Sequence, residues 1–126
     1  MNVKKVTAVL LVEKVEPCVK FWVDRLGFEK IAEVPDGDRI QFAMLQKNGT
    51  ELMYQTFTSV ERENRTAGEM ARKGPTFLFI EVDDLARTIE ALPGAEIVAE
   101  EHATFYGSRE FGVKDPAGHF ITFAQF

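Results

Sequence analysis

Few side chains in this sequence combine reactivity with surroundings that could use it. Glu51 is one, in the stretch TELMYQ, where a carboxylate interrupts an otherwise strand-like run. An unpaired carboxylate in a dry interior is costly. Glu51 therefore either pairs with a cation, Arg109 or Arg39, or meets a cationic ligand. Apolar surroundings would also suit it to general-base work, which makes it the candidate catalytic residue. A second stretch, FYGSREFGV, holds Tyr106, Arg109 and Glu110 at the start of a strand. Tyr106 suits stacking on a ring and Arg109 suits an anionic group; an exposed turn with a surface ion pair accounts for the same residues without a ligand. Of the two histidines, His102 in EEHATFYG reads as solvated on a loop rim. His119 reads as structural or surface, because alternation puts it on the opposite strand face from Thr122. The single cysteine, Cys18, excludes an internal disulfide and a cysteine-cluster metal site.

The elements that must position these residues come twice. Val6–Val12 reads as a strand, and VEPCVKFWVDRL follows with Val15, Cys18, Val19, Trp22 and Leu26 at helical spacing. Pro17 suits a first helical turn and Gly27 a helix stop. Three strands follow, FEKIAEV, RIQFAMLQ and ELMYQTF, separated by the hairpin signals Asp36-Gly37 and Asn48-Gly49. The series then restarts: TFLFIEV is a strand and DLARTIEAL a helix. AEIVAEE, REFGVKD and HFITFAQF are three more strands, the last two joined by a turn at Asp115-Pro116-Ala117-Gly118. GFEKIAE from Gly27 shares four of seven residues with GAEIVAE from Gly94. The order predicts one domain over residues 1–126, built from βαβββ repeats at 4–57 and 75–126. The polar segment 58–74 reads as a linker, with Thr58 and Glu61 spaced to cap a short helix; it is either a solvated surface or a lid over a pocket.

Composition narrows the class. With 126 residues, 45% hydrophobic and 28% charged, the chain can bury about two-thirds of its unfolded surface as a globular domain. Its 11 Phe either fill a core or line an apolar cavity. Fifteen basic residues against 20 acidic ones, dispersed along the chain, exclude a nucleic-acid partner. Lys4-Lys5 before an apolar run imitates a signal peptide, but Glu13-Lys14 end that run with no small-residue cleavage site. No stretch reaches membrane-spanning length, so no membrane is expected, and the reading is cytoplasmic.

The doubled βαβββ pattern, opened by VEPCVKFWVDRLGFEKI and closed by DPAGHFITFAQF, resembles the vicinal oxygen chelate superfamily across essentially the whole chain. That group includes glyoxalase I, extradiol dioxygenases and bleomycin-resistance proteins. The resemblance implies an α+β fold whose units curl mixed sheets around a cavity. In metal-dependent members each unit supplies one metal ligand from its first strand and one from its last. Matching the motifs places those positions at Thr7, Glu51, Phe77 and Thr122. Only Glu51 is a competent ligand beside imidazole or carboxylate, so the resemblance implies a pocket with no metal and no other cofactor.

Strand alternation then gives a lining. Thr7 brings Val9 and Leu11 inward; Glu51 brings Met53 and Gln55; Phe77 brings Phe79; Thr122 brings Phe120 and Ala124. Apolar walls with sparse polar groups describe a small-molecule site, although the same side chains could fill a closed core. The resulting expectation is a metal-free binding protein similar to the bleomycin-resistance branch, a homodimer holding an aromatic or cationic ligand. The alternative is a metal-dependent glyoxalase I-like lyase or isomerase, or a dioxygenase, with a divergent divalent-metal site.

Overall fold

The computed structural model describes residues 1–126, which divide into two units, Met1–Gly74 and Pro75–Phe126. The first unit begins with strand β1 (Ala8–Val12), followed by helix α1 (Glu16–Lys20) and a π-helical turn over Phe21–Arg25. Strands β2 (Glu29–Asp36), β3 (Arg39–Lys47) and β4 (Thr50–Thr56) come next, then helices α2 (Phe57–Glu63) and α3 (Arg65–Ala71). The second unit runs β5 (Phe77–Glu81), α4 (Leu85–Glu90), β6 (Glu96–Ala103), β7 (Arg109–Lys114) and β8 (Phe120–Gln125).

Both sheets share one topology. The orders are β1-β4-β3-β2 and β5-β8-β7-β6. In each, the first strand lies parallel to the last and the other pairs are antiparallel. These are two four-stranded mixed sheets, neither closed into a barrel, each built from one βαβββ unit. The helix stop predicted at Gly27 takes positive φ, +72°, and Gly94, its counterpart in the repeat, takes +77°.

One face of each sheet is buried. In the first unit Leu10, Val12, Ala43, Leu45, Leu52 and Tyr54 point that way, and Val15, Cys18, Phe21 and Trp22 from the helical segment are buried with them. Trp22 Nε1 donates to the Tyr54 hydroxyl at 2.7 Å, and the Ile40 amide donates to the Glu16 carboxylate at 2.9 Å. These two bonds fasten the helix to β4 and β3. In the second unit Phe111, Val113, Ile121 and Phe123 are buried, as are Leu85 and Leu92 at and beyond the ends of α4. α4 packs on β7 and β8. No helix is long and apolar enough to cross a membrane.

Three local expectations are revised. The stripe from Val15 to Leu26 predicts a continuous α-helix, but its second half winds as a π turn. The wider turn buries Phe21 and Trp22 side by side and leaves Leu26 half-buried. The segment 58–74, expected to hold one short helix, carries most of α2 and all of α3. The cap of α2 is Thr56, not Thr58: Thr56 retains an extended backbone and its hydroxyl accepts from the Ser59 amide, while Asn64 caps α3 in the same way. His102 lies within β6 rather than on a loop rim, although it is exposed as expected.

The turn before β8 is held by Asp115, whose Oδ1 accepts from the amides of Ala117 and His119. His119 is buried, and its Nδ1 accepts from the Thr76 amide at 2.8 Å, tying the entrance of β5 to that of β8.

Replacing Tyr54 with Phe deprives the buried Trp22 N–H of its acceptor. We expect Tyr54→Phe to lower unfolding stability by about 1–3 kcal/mol, measured by chemical denaturation. An unchanged midpoint would show that this bond does not fasten the helix to the sheet.

Candidate ligand-binding faces of the two sheets

The second face of each sheet is not covered by the helix that follows its first strand. In the first unit it carries two cross-strand rows: Val9, Met53, Met44 and Ala32, then Leu11, Gln55, Phe42 and Val34. Val9 and Val34 are exposed and the Met and Phe side chains half-buried. Thr7 directly precedes β1 and is half-buried. Glu51, Met53 and Gln55 share this face, so the structure brings the predicted lining residues of the first unit onto one surface.

Glu51 is paired with neither Arg109 nor Arg39. Lys5 Nζ meets its Oε2 at 2.6 Å. The strand register explains the partner: Glu51 lies opposite Gln46, and Phe42 lies opposite Gln55. Arg39 therefore falls at the far end of β4 from Glu51. The parallel pairing of Ala8 with Leu52 instead brings the residues before β1 alongside Glu51. Gln55 Nε2 is also engaged, donating to Ser59 Oγ at 2.8 Å.

In the second unit the corresponding face carries Phe77, Phe79, Phe120 and Thr122. Phe77 and Phe79 are 72% and 56% exposed, although large aromatic side chains ordinarily sit in cores. Phe77 and Phe120 meet edge to face with centroids 5.2 Å apart. Phe79, Thr122 and Gly112 form one row, and Glu81, Ala124 and Glu110 the next. A Cβ at Gly112 would lie 3.0 Å from the Phe120 ring, a tight contact, so glycine lets that ring lie close over the strand.

The structure separates Tyr106 from Arg109. Arg109 shares the parity of Phe111 and Val113, so it lies on the helix side of β7, bonded to Glu101 at 2.8 Å. There it lines a cleft of about 500 Å³ with Leu85, Ala86, Gln125 and Phe126. Tyr106 turns the other way, and its hydroxyl donates to the carboxylate of Glu110.

Sequence reasoning named Glu110 beside Tyr106 and Arg109 but assigned it no ligand role of its own, leaving a surface ion pair as the alternative. Glu110 is 7% exposed. Its Oε2 accepts from Tyr106 and from Ser108 Oγ, the latter at 2.8 Å, and Ser108 is held in turn by Thr104 at 2.8 Å. The Tyr106 hydroxyl holds the Glu110 carboxyl below the usual carboxylate range, ahead of an opposing effect of burial. The same bond holds the Tyr106 phenol above its ordinary range. Alternation could have found Glu110, since it shares the parity of Gly112 and stands two residues from it.

The superfamily's metal positions do not fit a divalent ion here. In the first unit Thr7 offers a hydroxyl and the Glu51 carboxylate is held by Lys5. In the second, Phe77 has no donor atom and Thr122 again offers a hydroxyl. No three His, Cys, Asp or Glu side chains come together as a metal-binding group.

Comparison with known proteins agrees with this architecture. No curated protein matches the chain in sequence. A bleomycin-binding protein from Streptomyces verticillus, solved with copper(II)-bleomycin, is 28% identical; the match covers 98% of this chain and 96% of that one, with a TM-score of 0.65. TioX from Micromonospora sp. ML1 is 18% identical over 98% of both chains, TM-score 0.75. A superfamily member from Sphaerobacter thermophilus is 19% identical over 99% of this chain and 98% of its own, TM-score 0.76. The profile of the Glyoxalase/Bleomycin resistance protein/Dioxygenase superfamily matches residues 5–123, and the chain belongs to that superfamily.

Proposed function

We propose that this protein is a metal-free small-molecule-binding protein that holds an aromatic or cationic ligand against the open faces of its sheets. The observation that carries this reading is the exchange of chemistry at the superfamily's metal positions. Three of the four are Thr7, Phe77 and Thr122, and the fourth, Glu51, is neutralised by Lys5. The surrounding face nevertheless keeps aromatic and thioether side chains exposed or half-buried, as a small-molecule surface requires. The Streptomyces neighbour, a bleomycin-binding protein, is a precedent for binding as the role of such a chain. Glu51 is already engaged by the Lys5 ammonium at 2.6 Å.

A homodimer belongs to the same proposal. Phe77 and Phe79, on one face of β5, are exposed apolar side chains, a kind of surface that marks ligand or partner contacts. A cytoplasmic location also belongs to it, resting on the single buried cysteine.

Two measurements test this reading. Purified untagged protein should contain no stoichiometric metal, and nickel, zinc, manganese or iron(II) should not raise its melting temperature. A rise that disappears in Glu51→Gln would contradict the proposal and favour the metal-dependent lyase or dioxygenase. Sedimentation should return twice the chain mass of 14.2 kDa; a single-chain mass at micromolar concentration would remove the dimer from the account.

A further inference from the structure

We propose that Glu110 is the ligand-anchoring carboxylate of the second unit, receiving the cationic group of a planar ligand whose ring lies against Phe120. The cationic group is a protonated amine, amidine or guanidine. This inference rests on the small-molecule-binding reading and assigns its charge-bearing contact to a residue outside the superfamily's metal positions.

The first argument is the state of the carboxylate. Glu51, Glu61, Glu96 and Glu101 each sit in an ion pair with Lys or Arg. Glu110 is more buried than any of them, yet its partners are two neutral hydroxyls. Both bond Oε2, and Oε1 receives no protein donor. Because no buried side-chain oxygen lacks a partner, Oε1 must reach solvent. The arrangement orients one oxygen firmly and leaves the other without a protein donor, at a residue that keeps 7% of its surface exposed. An ionised carboxylate only accepts hydrogen bonds, and a charged donor makes the strongest such bond.

The second argument is what surrounds it. Gly112 stands two residues along β7, roughly 7 Å away by strand rise, and carries the Phe120 ring above it. Phe77 packs edge-on against that ring, so an aromatic surface begins one row from the carboxylate. The titratable groups around Glu110 are His102 opposite in β6, Tyr106 from the preceding loop, and Glu81 in the same row on β5. Arg109 and Glu101 are paired with each other, and Arg109 points to the helix side of β7. The row is therefore acidic at the edge of an apolar patch. That favours a cation joined to a ring, which gains ion pairing and stacking together.

Fluorescence titration with proflavine, a planar aromatic cation, and with anilinonaphthalene sulfonate, an aromatic anion, tests the assignment. The wild-type protein should bind proflavine more tightly. Glu110→Gln, which retains an acceptor for the Tyr106 and Ser108 hydroxyls, should weaken proflavine binding at least tenfold and leave the anion unchanged or tighter. Proflavine affinity should also fall as pH drops through the lowered Glu110 range. Tyr106→Phe, which removes the bond that lowers it, should move that fall to higher pH. The pH shift in Tyr106→Phe decides the matter if Glu110→Gln fails to fold. Equal proflavine affinity in Glu110→Gln and wild type, or no pH shift in Tyr106→Phe, would overturn the Glu110 assignment while leaving the binding reading intact. Wild-type protein that prefers the anion would overturn the assignment too. Wild-type protein that binds neither probe would overturn both.

Discussion

Each unit of this protein has four strands and a short helical crossover to cover them, and that shortage of cover shapes everything else. The α-helical part of the first crossover has five residues and that of the second has six. Such a segment can shield one side of a sheet. The strands answer by alternating: Leu10, Val12, Leu52 and Tyr54 turn toward the helix in the first unit, and Ile121, Phe123, Phe111 and Val113 in the second. The residues between them are left on a face that the crossover helix does not cover. In a simple two-layer protein those positions would be polar. Here they include Val9, Met53, Phe77, Phe79 and Phe120, and that residual apolarity is the physical basis for reading the faces as binding surfaces.

The same alternation made most of the fold legible before the structure. Period-two patterns, the turn signals at Asn48-Gly49 and Asp115-Pro116, and the likeness between GFEKIAE and GAEIVAE are local features. Local features survive in sequence because they act through a residue's own backbone and near neighbours. The phase of each strand was equally readable, so the residues sharing a face with Glu51 or with Thr122 could be named.

What was not legible depends on distance along the chain or on small changes of winding. The Lys5–Glu51 pair spans 46 positions and follows from the parallel register of β1 on β4. The π turn at Phe21–Arg25 is a change of pitch that lets two adjacent aromatic residues enter one core. Glu110 was hidden for a third reason. A Glu beside an Arg in a turn-like stretch reads as a surface ion pair, whereas strand geometry sends Arg109 and Glu110 to opposite sides of β7. Glu110 then takes hydroxyl partners instead, so the two neighbours are a cleft residue and a buried carboxylate on the other side of the strand.

These features together describe a superfamily scaffold whose matched metal positions are Thr7, Glu51, Phe77 and Thr122, set in faces that keep aromatic and apolar side chains. Amide-resolved NMR of the uniformly labelled protein during proflavine addition would test that description most directly. The account predicts shifts concentrated on Glu110, Gly112, Phe120 and Thr122, the open face of the second sheet. Shifts confined to Leu85, Ala86, Gly107 and Gln125 would place the ligand in the cleft beside Arg109 on the helix side of β7 and contradict it.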